Sequence, residues 1–128
     1  YEKQWVSFLK DHGMQVIIHS CGDIRKAVPL IIDAGFDCLQ PMEAKAGCNV
    51  LELAAEHGNK ISYMGNMDIV AFTTNDPAAV EAEVVHKLKE ISKRRIPYFA
   101  HTDHSVPPNV SFETYRRYID LFRKNCSY

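Results

Sequence analysis

Two side chains that bind soft metals follow a short apolar run near the start of the chain. Residues 16–23 read VIIHSCGD, which places His19 and Cys21 two positions apart. Side chains at positions i and i+2 of a strand leave the same face, so both could reach one ion. Zinc accepts imidazole and thiolate together, and catalytic zinc usually keeps three protein ligands and one open position. The pair therefore indicates part of a zinc site, with ordinary packing and turn chemistry as the alternative.

Other polar side chains follow each later apolar run. They are Gln40, Glu43 and Lys45 after the second run, Asn66 and Asp68 after the third, and His101, Thr102, Asp103 and His104 after the fourth. In parallel α/β folds the carboxyl ends of the strands share one face, and ligands bind there. Three of these side chains are candidates for a third zinc ligand: His104, with Asp103 and Glu43 as substitutes.

The elements that must position these residues alternate between extended and helical patterns. Short apolar runs predict strands near residues 14–19, 36–40, 61–64 and 98–101, and helical spacing predicts helices near residues 5–9, 24–34, 51–57, 80–91 and 112–124. Pro29 predicts that the second helix starts late or kinks, and Asn49 and Asp76 are predicted helix caps. The first strand is rich in branched residues, which predicts burial on both of its faces.

Strand and helix alternate four times, which predicts a parallel sheet covered by helices. An open, doubly wound sheet of four or five strands would suit 128 residues. The other architecture is half of an eight-fold barrel, which as a whole needs about 250 residues. Periodicity alone favours the open sheet, because half a barrel leaves unpaired strand edges. Either architecture makes residues 1–128 a single α/β domain.

Composition narrows the classes of function. Apolar residues make up 46% and charged residues 24%, an ordinary globular balance, and the net charge of -1 argues against nucleic acid or a membrane surface as partner. No run approaches the roughly 20 apolar residues of a bilayer span, and no signal peptide opens the chain, so we expect a cytoplasmic protein.

Because Tyr1 already lies in a helical pattern, we expect a fragment of a longer protein. Cys38, in mid-strand, is expected to be a core thiol.

Three ordered segments resemble the last third of the uroporphyrinogen decarboxylase superfamily. They read HSCGDIRKAVPLIIDAGFDCLQPMEAKAG, YMGNMDI and HTDHSVPPNVSFETY. They are similar to the family's His-x-Cys/Asp-Gly turn, its Gly-Asn-x-Asp segment and its His-Gly/Ser-x-x-Pro loop, and the resemblance runs over almost the whole chain. That family is an eight-stranded β/α barrel. The resemblance therefore implies the C-terminal half of a TIM-type (β/α)8 barrel, about four βα units, and overrides the open sheet.

The resemblance implies one of two chemistries. One branch decarboxylates the acetate arms of uroporphyrinogen without metal or organic cofactor. The other branch uses zinc to move a methyl group from a methyl-corrinoid protein to a thiol such as coenzyme M, or to a similar acceptor. That branch binds zinc through a His-x-Cys pair, which His19 and Cys21 match, and through a later cysteine. His104 stands at the position of the later cysteine, and the decarboxylase branch carries a histidine there.

Zinc-dependent methyl transfer is our leading prediction, because zinc keeps an acceptor thiol deprotonated at neutral pH. The predicted roles are zinc ligands for His19, Cys21 and His104, and substrate contacts for Asp68 and Asn66. This chemistry implies a small-molecule methyl acceptor and methylcobalamin carried by a partner corrinoid protein. The alternatives are a uroporphyrinogen decarboxylase and a catalytically silent half-barrel that assembles with a partner. We expect the isolated chain to be inactive and, given its open edges, to form a homodimer.

Overall fold

The apolar runs of the sequence form four short parallel strands in a computed structural model that describes residues 1–126. The strands are β1 (Ile17–Ser20), β2 (Cys38–Pro41), β3 (Ser62–Met64) and β4 (Tyr98–Phe99). Each lies within or beside a run that the sequence predicts as a strand. An isolated parallel bridge between Met67 and Thr102 continues the pairing of β3 with β4 into the loops that follow them.

The strands lie in sequential order, β1-β2-β3-β4, and every neighbouring pair is parallel. Crossovers between parallel strands are right-handed in nearly all proteins, so crossovers that always step in the same direction place their helices on one face. A doubly wound sheet would instead reverse its direction at a switch point. The open-sheet expectation from periodicity is therefore wrong. The half-barrel of α/β type that the resemblance implies is confirmed.

One helix precedes the first strand, others connect the strands, and one follows the last strand. They are α1 (Glu2–Asp11), α2 (Val28–Ala34), α3 (Val50–His57), α4 (Ile69–Thr73), α5 (Pro77–Lys93) and α6 (Phe112–Asn125), with 3-10 turns at Arg25–Ala27, Ala44–Ala46 and Gly58–Lys60. The late start of α2 is confirmed: Pro29 lies in its first turn, where no amide hydrogen is needed. The side chains of Asn49 and Asp76 cap α3 and α5 as predicted. The short helix α4 has no counterpart in the prediction.

The two faces of the sheet have opposite surroundings. On one face Leu39, Tyr63 and Tyr98 are buried in the core together with the apolar sides of the helices. On the other face Ile17 is 53% exposed and Phe99 is 57% exposed, although Cys38 is buried as predicted. The prediction that the first strand is buried on both faces is therefore wrong, because the described residues cover only one side of it. Within this part of the chain, no helix combines the length and apolar character that crossing a membrane would require.

Candidate functional site

His19 and Cys21 approach each other at the carboxyl end of β1. The imidazole Nε2 of His19 lies 3.4 Å from Sγ of Cys21, and both side chains are exposed. Bonds of about 2.0–2.1 Å to nitrogen and about 2.3 Å to sulfur hold the two ligand atoms of a tetrahedral zinc roughly 3.5 Å apart. The observed separation therefore fits two ligands of one zinc ion. The two residues are close because they are two positions apart at the end of β1, as the sequence predicts.

The second ring nitrogen of His19 contacts the neighbouring strand. Its Nδ1 lies 2.9 Å from Oε1 of Gln40. His19 and Gln40 are directly opposite each other in the register of β1 with β2. Gln40 belongs to the group of polar side chains that the sequence places at the strand ends, but the sequence assigns it no role. Only the register of the two strands reveals the contact.

Glu43 connects three loops at the same edge of the sheet. Its Oε2 accepts a hydrogen bond from the backbone amide of Gly22 at 2.7 Å. Its Oε1 lies 3.1 Å from Nζ of Lys45 and 3.4 Å from Nε2 of His104. The amide of Gly22 and the ammonium of Lys45 both stabilise the carboxylate, and they lower the pKa of Glu43 below its ordinary value. Glu43 therefore lies as an anion directly behind the loop that carries Cys21.

Asp103 is fully buried and joins two other loops. One carboxylate oxygen accepts the amide of Ala44 at 2.9 Å, and the other accepts the amide of Ile69 at 2.9 Å. These bonds give an acceptor to the buried amide of Ile69 and to the part-buried amide of Ala44. A role as the third zinc ligand would require Asp103 to compete with those bonds. The structure thus gives Asp103 a scaffolding position beneath the site.

Asn66 is also fully buried, at the start of the loop after β3. Its side-chain oxygen accepts the amide of Val50, and its side-chain nitrogen donates to the carbonyls of Met42 and Cys48. These three bonds hold the loop after β2 against the loop after β3. They explain the burial of Asn66 without a substrate contact.

Asp68, the second predicted substrate contact, is the N-cap of α4. Its carboxylate accepts the amide of Val70 at 2.9 Å, and its own amide donates to Glu83 of α5 at 2.8 Å. The side chain is half-buried at the edge of the sheet. The capping role accounts for an aspartate at this position. The substrate contact therefore stays a prediction.

Gly65 allows the loops after β2 and β3 to pack closely. Its backbone has φ +114°, and a Cβ atom there would lie 2.4 Å from the carbonyl oxygen of Pro41. Only glycine avoids that overlap, and it also adopts positive φ at little cost. The sequence gives Gly65 and Asn66 no more than the signature of a turn. The close approach of the Pro41 carbonyl comes from a distant part of the chain.

Arg25, a cation close to the His-x-Cys turn, is already paired. Its Nε and Nη2 donate to the two carboxylate oxygens of Asp23, each at 2.8 Å. These bonds and that from the backbone amide of Arg25 lower the pKa of Asp23 to about 2. The charge of the guanidinium is thus balanced by Asp23, although three of its five N–H donors remain unused by these two bonds.

Four of the five candidate zinc ligands form two pairs, and Asp103 belongs to neither. His19 contacts Cys21, and Glu43 contacts His104. Among residues 1–126, no three His, Cys, Asp or Glu side chains converge into a group that could hold a metal ion. The donor chemistry and spacing of the first pair fit zinc, whereas the described residues do not complete a set of three ligands. The identity of the third ligand stays a prediction.

Four parallel βα units, with polar side chains gathered at the carboxyl edge of their sheet, define a half-barrel α/β protein whose candidate site lies at the strand ends. The family model for uroporphyrinogen decarboxylase (URO-D) matches residues 1–125, so the chain belongs to that family. The resemblance found in the sequence is thereby confirmed. No curated protein matches the chain.

Proposed function

We propose that this protein serves zinc-dependent transfer of a methyl group from a methyl-corrinoid protein to a thiol or a similar acceptor. The observation that carries the proposal is the 3.4 Å separation between His19 Nε2 and Cys21 Sγ at an exposed strand end. An imidazole and a thiol at ligand spacing match the preference of zinc for mixed nitrogen and sulfur donors. Uroporphyrinogen decarboxylation needs no such pair.

In this proposal His19 and Cys21 hold the metal, and His104 or Glu43 supplies the third ligand. Zinc would lower the pKa of an acceptor thiol, so that the thiol is a nucleophile at neutral pH. Cys21 would bind the metal as a thiolate, and the hydrogen bond from the Gly22 amide to Glu43 fixes the turn that presents its side chain. Lys45 lies beside Glu43 on the same rim and balances the charge of its carboxylate.

The pairing of Arg25 with Asp23 supports methyl transfer over decarboxylation. Uroporphyrinogen carries many carboxylates, and a site for it would need several free cationic groups. Arg25 is the arginine next to the His-x-Cys turn, and its positive charge is already balanced by Asp23.

Decarboxylation of uroporphyrinogen is the second candidate, favoured by the contact of His104 with Glu43. Loss of carbon dioxide from an acetate arm leaves its electron pair on the adjoining carbon, which must then gain a proton to become a methyl group. An imidazolium stabilised by a nearby carboxylate is a suitable proton donor for that step. His104 lies 3.4 Å from Glu43 and would be such a donor in its protonated form.

Zinc content tests the two candidates. Protein purified without an affinity tag and reconstituted with zinc chloride is analysed for metal, as wild type and as Cys21→Ser and His104→Ala. Cys126→Ser serves as the matched control because Cys126 is the C-cap of α6 and is not part of a loop that follows a strand at the candidate site. We expect about one zinc per chain in the wild type and the control, and loss in Cys21→Ser. Loss in His104→Ala identifies the third ligand, whereas retention there directs attention to Glu43.

The same preparations are then mixed with methylcobalamin and coenzyme M, and separately with uroporphyrinogen. Demethylation of methylcobalamin by the zinc-loaded protein supports the proposal. A wild type that binds no zinc, or zinc that is retained in Cys21→Ser, contradicts it. Metal-independent binding of uroporphyrinogen would favour the decarboxylase. The absence of both activities, in a protein that dimerises, would favour the catalytically silent half-barrel.

A further inference from the structure

We infer that Gln40 is a positioning residue: it holds the imidazole of His19 in the tautomer with hydrogen on Nδ1 and directs the lone pair of Nε2 toward Cys21. The inference deepens the proposed function, and its metal-binding part rests on that function. Its structural part concerns the metal-free protein and stands on the contacts of three side chains.

The sheet fixes the distance between His19 and Gln40. The two residues are register partners in parallel strands, so their side chains leave the same face of the sheet. Gln40 is half-buried on β2, whereas His19 is exposed on the edge strand β1. An exposed edge residue is free to change rotamer unless a partner holds it. Gln40 lies where such a partner is needed.

The chemistry of the contact selects one tautomer. The Gln40 atom that faces Nδ1 of His19, at 2.9 Å, is the carbonyl oxygen Oε1, which only accepts hydrogen bonds. Nδ1 must therefore donate. A neutral imidazole has one donor and one acceptor nitrogen, so Nε2 keeps its lone pair.

The lone pair then points to the thiol of Cys21, 3.4 Å away. In the metal-free protein Nε2 can accept the weak S–H donor of Cys21. With a metal bound, the same lone pair would face the ion. Histidines that bind metals commonly donate their other ring hydrogen to an oxygen acceptor, and loss of such a partner costs about 10- to 100-fold in metal affinity.

Nuclear magnetic resonance of the metal-free protein tests the tautomer directly. Long-range proton–nitrogen spectra at pH 8 distinguish a protonated from an unprotonated ring nitrogen, and the signals of His19 are those missing from His19→Ala. We expect hydrogen on Nδ1 in the wild type and in Gln40→Glu, which keeps an oxygen acceptor. Gln40→Met has similar length but no acceptor, so its His19 should shift toward the Nε2–H form. Gln15→Met, at an exposed position, is the matched control.

Zinc affinity, measured by competition with a chelator, is the second readout. Gln40→Met should bind zinc about 10- to 100-fold more weakly than wild type, whereas Gln40→Glu and Gln15→Met should stay close to wild type. Thermal unfolding of each variant separates loss of the contact from loss of the fold.

The outcomes for Gln40 and for the proposed function can be distinguished. Hydrogen on Nε2 of His19 in the metal-free wild type overturns the inference, whatever the zinc result. An unchanged tautomer and unchanged zinc affinity in Gln40→Met also overturn it. Hydrogen on Nδ1 that is lost in Gln40→Met, in a protein that binds no zinc, supports the role of Gln40 and overturns zinc-dependent methyl transfer.

Discussion

Glu43 and His104 meet across the rim of the sheet, with 3.4 Å between Oε1 of the carboxylate and Nε2 of the imidazole. The residues belong to the loops after β2 and β4. The other oxygen of Glu43 bonds to the amide of Gly22, in the loop after β1. One nearly buried carboxylate therefore links three of the four loops that form the candidate site. Loss of its charge should affect the acid stability of the fold as well as the site.

The substitution Glu43→Gln should make the free energy of unfolding less sensitive to a fall in pH. The pKa of Glu43 is lowered in the folded protein from its ordinary value of 4.5, chiefly by the amide of Gly22. The carboxylate thus contributes stability that is present above pH 4.5 and is lost as the pH falls through the lower, folded pKa. Urea unfolding between pH 7 and pH 3 measures this dependence. The variant should be less stable than the wild type at pH 7, and its free energy of unfolding should fall less on acidification.

Asp120→Asn is the control for this experiment, because Asp120 is exposed and lies outside the first turn of α6. Its acid dependence should follow that of the wild type. Parallel curves for the wild type and Glu43→Gln would show that the Gly22 contact carries no net stabilisation.

Asp103→Ala should destabilise the fold strongly. The substitution leaves the buried amide of Ile69 and the part-buried amide of Ala44 without their acceptors, at a cost of about 1–3 kcal/mol for Ile69 and less for Ala44. The substitution Asp103→Asn keeps the shape of the side chain and one acceptor oxygen, so the loss of unfolding free energy should be smaller. Unfolding in urea measures both values, with the exposed Asp120→Asn as control. Equal stability of Asp103→Ala and the wild type would rule out the scaffolding role.

Gly65→Ala should cost more than a comparable change at Gly13. Both glycines have positive φ, +114° and +76°, but only at Gly65 would the new Cβ meet a neighbour, the Pro41 oxygen at 2.4 Å. Gly13→Ala should therefore cost only the backbone term of about 1–2 kcal/mol. The substitution Gly65→Ala should lower the free energy of unfolding by about 1 kcal/mol more than Gly13→Ala, because the backbone at Pro41 must move. Similar melting temperatures for the two variants would contradict the steric argument.

Features that depend on local sequence could be predicted. His19 and Cys21 are neighbours because they stand two positions apart where β1 ends. The late start of α2 follows from Pro29, and the caps of α3 and α5 follow from Asn49 and Asp76. Each of these depends on a few consecutive residues, so their order along the chain is sufficient.

Features that depend on distant parts of the chain could not be predicted. The contact of Gln40 with His19 depends on the register of β1 with β2. The burial of Glu43 depends on how the loops after β1, β2 and β4 meet, and the exposure of Ile17 depends on what covers the sheet. The sequence places the polar residues at the strand ends, but packing separates those that face outward from those that hold the loops.

The bonds of Asp103 also determine when during synthesis the rim can take its final form. Asp103 is 59 residues beyond Ala44 and 34 residues beyond Ile69, the two amides that it holds. A ribosome delivers the chain from its amino end, so the first three βα units emerge before this carboxylate exists. Until it arrives, both amides depend on water, and their loops stay without their anchor. His19 and Cys21 are close in sequence and can meet early. The loops that contain Ala44 and Ile69 can reach their final arrangement only after Asp103, which follows β4, has been synthesised.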